Sequence, residues 1–113
     1  MHEMSLAEGV LNIVEATAQR ENAQRVRRVV LEIGQLAVVE AEALQFCFAA
    51  VARATLAATA ELEIIEVPGQ AWCAACAATV RLAALYDPCP QCGACPLEVT
   101  GGRAMRVKAI EIE

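Results

Sequence analysis

Aromatic residues are scarce in this chain, and histidine is nearly absent. Tryptophan and tyrosine occur once each and phenylalanine twice, so aromatics make up 4% of the 113 residues. Nucleic-acid binding surfaces combine a basic face with stacking aromatics. With a formal net charge of −5, that class is disfavoured here. No stretch approaches the roughly 18 apolar residues that a bilayer span requires. Nothing at the N-terminus resembles a secretory signal, which argues against an oxidising compartment and a disulfide framework. The single histidine is His2, and no nucleophile stands beside a base. No catalytic constellation is visible, so the chain reads as a non-enzyme. Internal repeats and low-complexity segments are also missing. The expectation is a soluble, acidic, cytoplasmic protein with no membrane and no nucleic-acid partner.

Cysteine, by contrast, is plentiful. Four of the six cysteines form two Cys-x-x-Cys pairs, Cys73/Cys76 and Cys89/Cys92, separated by the 12 residues 77–88. Two such knuckles facing each other complete a four-thiolate tetrahedron with metal–sulfur bonds of about 2.3 Å. The second knuckle contains Pro90, which pre-sets φ, and is followed by Gly93, which can adopt φ > 0. The first is followed by Ala77 and lacks that glycine. The gap is shorter than the usual zinc-ribbon spacing of roughly 15–20 residues, yet it leaves room for two short strands and a turn. Structural zinc is the expectation. Rubredoxin-like iron accepts the same four thiolates but tends to have glycine after both knuckles. A thioredoxin-type redox pair uses one Cys-x-x-Cys, and catalytic zinc needs an open coordination position that four cysteines do not leave.

Along the chain, Ser5 and Glu8 have capping-box spacing, and Leu6, Val10, Ile13, Val14 and Thr17 recur on one helical face, predicting a helix over 5–21 that stops at Asn22. Residues 25–34 read as a strand with Val29, Leu31 and Ile33 on one face. A second helix is expected over 40–54, its apolar stripe formed by Leu44, Cys47, Phe48 and Val51, with Phe46 at its edge. Glu40 and Glu42 lie at its positive end. Strands follow at 60–67 and 105–113, and both break alternation, at Ile64-Ile65 and at Ala109-Ile110, through a bulge or through burial on both faces. The fold class is therefore α/β, with two helices on a three-stranded sheet and a zinc-ribbon-like lobe inserted. Residues 1–67 plus 104–113 form the α/β domain and 68–103 the lobe. About 35 residues are too few for an independent core, so zinc must hold the lobe together. Trp72 is expected to pack its base. Arg25, Arg27, Arg28, Arg103, Arg106 and Lys108 form either one basic patch, if the first and third strands pair, or a solvated sheet face.

His2 supports two readings. A residue so near a terminus is ordinarily frayed and solvated. Geometrically, however, a terminal amine, the amide of residue 2 and the His2 imidazole can wrap one metal in fused chelate rings. A fourth donor from the Glu3 amide or a carboxylate would complete a square that suits Ni(II) or Cu(II).

The opening Met1-His2-Glu3-Met4-Ser5-Leu6, the run VVLEIGQL, Glu40 followed by Leu44, Phe46, Cys47 and Phe48, and the two knuckles resemble the HypA/HybF nickel-incorporation proteins over nearly the whole chain. The resemblance implies a cytoplasmic metallochaperone that supplies Ni(II) cargo to the large subunit of [NiFe]-hydrogenase, and in some organisms to urease maturation machinery, with a HypB-family GTPase as partner. It implies nickel at His2 and Glu3, and structural zinc at Cys73, Cys76, Cys89 and Cys92. Glu40 matches an acidic position linked to the nickel site, although an acid in the first turn of a helix is the ordinary explanation. The sequence departs from the family pattern at Cys95, a fifth thiol close to the second knuckle that could exchange with a zinc ligand, oxidise, or stand by. The alternative function is a zinc-ribbon interaction or nucleic-acid module without nickel.

Overall fold

The computed structural model describes residues 2–113. In chain order the elements are α1 (Glu3–Arg20), β1 (Val26–Gly34), a 3₁₀ turn (Gln35–Ala37), α2 (Ala41–Val51), β2 (Glu61–Val67), β3 (Gln70–Cys73), β4 (Ala78–Arg81), β5 (Glu98–Gly101) and β6 (Met105–Ile112). They form two three-stranded sheets, ordered β2-β1-β6 and β4-β3-β5. The mixed α/β class with an inserted cysteine lobe is what the periodicities predicted. None of the described helices is long and apolar enough to cross a membrane.

Helix α1 begins two residues earlier than the capping box predicted. His2 occupies the N-cap position with φ 60 and ψ 26, and Ser5 lies inside the first turn rather than capping it. The Leu6 N–H donates to the His2 carbonyl at 2.9 Å, which closes the first turn. Glu3 and Met4 are good helix formers, and Glu3 is favourable at the positive end of the dipole, so the helix extends over them. Its other end stops as expected at Asn22, with φ 54. The Ala23 N–H reaches the Ala18 carbonyl at 2.9 Å and the Asn22 N–H the Gln19 carbonyl at 3.2 Å. These are the two bonds of a Schellman motif, and asparagine tolerates the left-handed conformation it needs.

The chain packs as two units. One comprises Met1–Leu31, Val39–Ile64 and Val107–Glu113; the other comprises Glu32–Val38 and Ile65–Arg106. In the first unit α1 and α2 pack against each other. Val14 and Ala18 of α1, Leu44 and Phe48 of α2, and Val26, Val29 and Leu31 of β1 are all buried there. Helix α2 ends three residues short of expectation because Thr55 diverts the chain. Its hydroxyl donates to the Ala52 carbonyl at 2.8 Å and accepts from the Ala57 N–H at 3.1 Å, offering the backbone an alternative to helix. Phe46 is exposed rather than at a core edge, and Cys47 is half-buried. Ile64 and Ile65 are both half-buried, so the break in alternation in β2 coincides with partial cover on both faces.

The arginines at the start of β1 and just before it form no bare basic patch. Arg25 and Arg27 both pair with Glu113, at 3.0 and 3.4 Å, and Arg28 pairs with Glu63 at 2.9 Å and with Glu111. Hydrogen bonding to Glu111 raises the Arg28 pKa further, so it is always cationic. Arg25 and Glu113 also exchange backbone hydrogen bonds, at 3.1 and 2.9 Å, the reciprocal pair of an antiparallel ladder. Glu63 of β2, Glu111 of β6 and Glu113 just beyond it thus offset Arg27 and Arg28 of β1 and Arg25 just before it.

The second unit has its own small core: Leu36, Ala71, Val80 and Leu82 are buried together with Cys73 and Cys89. Strand β3 pairs antiparallel with β4, Cys73 opposite Ala78, and with β5, Trp72 opposite Glu98. One strand, not two, lies between the knuckles. The first knuckle is the turn of the β3–β4 hairpin, because Cys73 ends one strand and Ala78 begins the next. Trp72 is 42% exposed and does not serve as a buried base, since Ala71 and Cys73 take the inward positions of this alternating strand. Glycines permit the tightest approaches. A Cβ on Gly34 would lie 2.1 Å from the Gly102 carbonyl oxygen, and Gly102 itself has φ 81.

Candidate metal centres

The four knuckle cysteines converge. Their sulfurs all lie within 4.8 Å of one another; Cys73 Sγ is 3.5 Å from Cys92 Sγ, and Cys76 Sγ is 3.9 Å from Cys89 Sγ. Zinc–sulfur bonds of about 2.3 Å place tetrahedral sulfurs about 3.8 Å apart, so the spacing and the all-thiol donor set fit one zinc ion. The closest contacts bridge the two knuckles, which is what a shared centre requires.

Local backbone geometry forms each knuckle. The Cys76 N–H donates to Cys73 Sγ and the Gln91 N–H to Cys89 Sγ, both at 3.4 Å. After the second cysteine of each knuckle the chain turns left-handed, at Ala77 with φ 53 and at Gly93 with φ 77. The missing glycine of the first knuckle does not alter its shape; alanine adopts the same conformation under strain. Backbone N–H groups of Cys92 and Gln91 hold the Cys89 thiol down at about 6. Hydrogen bonds among the sulfurs, from Cys92 and then Cys73, push Cys76 up to about 12. The surroundings therefore favour the anion at Cys89 and the thiol at Cys76. A bound cation would complete the neutralisation by displacing the remaining protons. Cys73 and Cys89 are buried, Cys76 is half-buried and Cys92 is exposed. Cys95 lies outside this cluster, exposed, with its sulfur 4.0 Å from the Tyr86 carbonyl oxygen. All six cysteines are free thiols.

The second constellation lies at the start of α1. His2 is exposed and stands outside the helix as its N-cap. Glu3 opens the helix, and one of its carboxylate oxygens accepts the Glu40 backbone N–H at 3.1 Å. Glu40 is the N-cap of α2 and its side chain makes no capping bond. The starts of both helices, with two of the acids singled out in the sequence, therefore meet through a backbone group of one and a side chain of the other. The amine of Met1, the remaining donor of the chelate expected from the sequence, lies outside the described residues. Sequence reasoning did not anticipate the contact between Glu3 and Glu40. Thirty-six residues separate them, and no local pattern records which helix starts are neighbours.

The family model for HypA, described as hydrogenase/urease nickel incorporation, metallochaperone, matches residues 1–112. A hydrogenase maturation factor HypA of Dechloromonas aromatica strain RCB is 60% identical over 113 residues, covering 100% of both chains. Its counterpart in Rhodopseudomonas palustris strain BisA53 is 56% identical, again over 100% of both. Among solved structures, the chain is similar to the solution structure of the Ni metallochaperone HypA from Helicobacter pylori. The TM-score is 0.71 at 25% identity, covering 99% of this chain and 97% of the other.

Proposed function

The chain belongs to the HypA family of hydrogenase/urease nickel-incorporation metallochaperones, and from that premise we propose that it carries Ni(II) on its first residues and surrenders it during maturation of a [NiFe]-hydrogenase. The observation that carries the reading is the beginning of α1. His2 is exposed and takes part in the helix only through its carbonyl, which accepts from Leu6. Its amide and imidazole therefore have no helical duty. Nitrogen donors in a square suit Ni(II), and a chelate at a chain end can release its ligands one at a time to a receiver. Glu3 supplies a neighbouring amide and a carboxylate. Glu40, whose N–H donates to that carboxylate at 3.1 Å, is the further candidate to assist.

Within this reading the four-cysteine centre is structural zinc, which orders the lobe and takes no part in transfer. Cys73 and Cys89, one from each knuckle, belong to the lobe's small core, so the metal would tie both knuckles to the packed interior. The receiver is a HypB-family GTPase, the final recipient a hydrogenase large subunit or urease maturation machinery, and the setting the cytoplasm. The test is an N-terminal extension. Adding residues before Met1 removes the free amine and moves His2 away from second position. The extended protein is expected to keep its zinc and lose tight nickel binding; unchanged nickel affinity would overturn the chelate.

A further inference from the structure

Cys95 is left unexplained by both metal centres. It is not alone, because Cys92-Gly93-Ala94-Cys95 is a third Cys-x-x-Cys sharing Cys92 with the second knuckle. The sharing falls on the one member of the four-sulfur cluster that is exposed, and Cys95 is exposed as well. Between them Gly93 has φ +77, and no atom lies within 4 Å of the position its Cβ would take. Gly93 thus faces open space, while Ala94 beside it packs against the lobe's core. Two hydrogen bonds shape it, from the Gly93 N–H to the Cys89 carbonyl and from the Cys89 N–H to the Ala94 carbonyl, both 2.9 Å. The Cys92 N–H turns inward to the Cys89 sulfur, whereas the Cys95 sulfur lies 4.0 Å from the Tyr86 carbonyl oxygen.

We propose that Cys92 and Cys95 form an oxidisable pair whose disulfide withdraws one sulfur from the four-cysteine cluster, making zinc retention by the lobe responsive to hydroperoxide. The inference rests on the zinc reading given above. Susceptibility to oxidation follows thiolate character and exposure, and redox-sensing cysteines often stand beside a resolving one; Cys92 and Cys95 are both exposed and stand at Cys-x-x-Cys spacing. Cys95, which carries no metal, reacts first. Its sulfur attacks the peroxide, the O–O bond breaks, a sulfenic acid forms, and the thiol proton leaves on the departing oxygen. The Cys92 sulfur then attacks the Cys95 sulfur. The S–O bond breaks, the S–S bond forms, and the hydroxide released takes up a proton to become water. Two electrons pass from the cysteine pair to one peroxide, and the cluster is left with the sulfurs of Cys73, Cys76 and Cys89. A three-sulfur site holds zinc less tightly, so the ion escapes to any competing chelator. A dithiol reductant restores the pair by exchange.

The test uses the full-length, zinc-loaded protein, native beside Cys95→Ser, treated with hydrogen peroxide in the presence of a chromophoric zinc chelator. Zinc content is assayed before oxidation, which separates failure of the zinc reading from failure of this one. Zinc release is expected to slow about tenfold in Cys95→Ser, because the first-reacting thiol is gone. Trypsin leaves Cys89, Cys92 and Cys95 on one peptide, 82–103, and Cys73 and Cys76 on another, 54–81. The native protein should therefore give the 82–103 peptide lighter by two hydrogens, with fragmentation placing the bond between Cys92 and Cys95 whether or not zinc was bound. Dithiothreitol and added zinc should then restore the starting metal content. Equal release rates in the two proteins, or disulfides that leave Cys95 reduced, would overturn the proposal.

Discussion

The Glu40 backbone N–H donates to the Glu3 carboxylate at 3.1 Å, joining the N-cap of α2 to the first residue of α1. Glu40 takes part through its main chain, so the two acids are not equivalent. Glu3→Ala is expected to weaken Ni(II) binding about 10- to 100-fold, the usual cost of losing a ligand's supporting group. Glu40→Ala, which keeps the N–H, is expected to weaken it by less than about threefold on the same scale. Isothermal titration of both variants checks this; equal losses would place the Glu40 carboxylate in the nickel shell.

Ala77 is held at φ 53, where glycine would be at ease. A left-handed conformation costs a non-glycine residue roughly 1–2 kcal/mol. Ala77→Gly is therefore expected to stabilise the zinc-loaded protein by up to about 1 kcal/mol, the gain being reduced by glycine's greater entropy when unfolded. Urea unfolding measures it, and a destabilised variant would show that the first knuckle depends on the alanine side chain.

Gly34→Ala tests the tight approach of β1 to the turn at Gly102. The added methyl carbon would fall 2.1 Å from the Gly102 carbonyl oxygen, a distance only backbone movement can relieve. A loss of roughly 1–3 kcal/mol is expected, in the range of overpacking. Gly9→Ala is the control, since its Cβ would meet nothing within 4 Å. It should be neutral or stabilising in a helix.

Without metal, the lobe should respond to pH through its sulfurs. The folded-state pKa of Cys89 is lowered to about 6, so its contribution is present above the ordinary thiol value and is lost as pH falls through 6. Cys76 is raised to about 12, so its contribution is present below the ordinary value and is lost as pH rises through 12. The metal-free protein should therefore be most stable near the ordinary value of 9.0. Trp72, the sole tryptophan, reports it by fluorescence, being next to Cys73. Highest stability at acid pH would contradict the arrangement of N–H groups around Cys89.

Much of the fold was legible because its signals are local. Residues 25–34 alternate, Asn22 can turn left-handed, and four cysteines at knuckle spacing converge. The misreadings arose where tertiary context overrode a local rule. Ser5 and Glu8 have capping-box spacing, yet the helix extends past them to Glu3 because nothing in Glu3 or Met4 stops it. Thr55 ends α2 through its hydroxyl where composition alone would continue it. For Arg25, Arg27 and Arg28 the sequence left a basic patch and a solvated sheet face both open, and only the folded chain, which sets Glu63, Glu111 and Glu113 beside them, decides between the two. The candidate nickel site was legible only as residue types near a chain end, since the meeting of Glu3 with Glu40 is a property of the folded chain.

The central claim is tested most directly by titrating Ni(II) into untagged, zinc-loaded protein beside its His2→Ala variant, with zinc assayed in both. The native protein is expected to bind about one nickel per chain, and the variant to lose that nickel while keeping its zinc. Equal nickel binding by both proteins, or none by either, would contradict an N-terminal nickel site and leave the four-cysteine centre as the chain's one metal function.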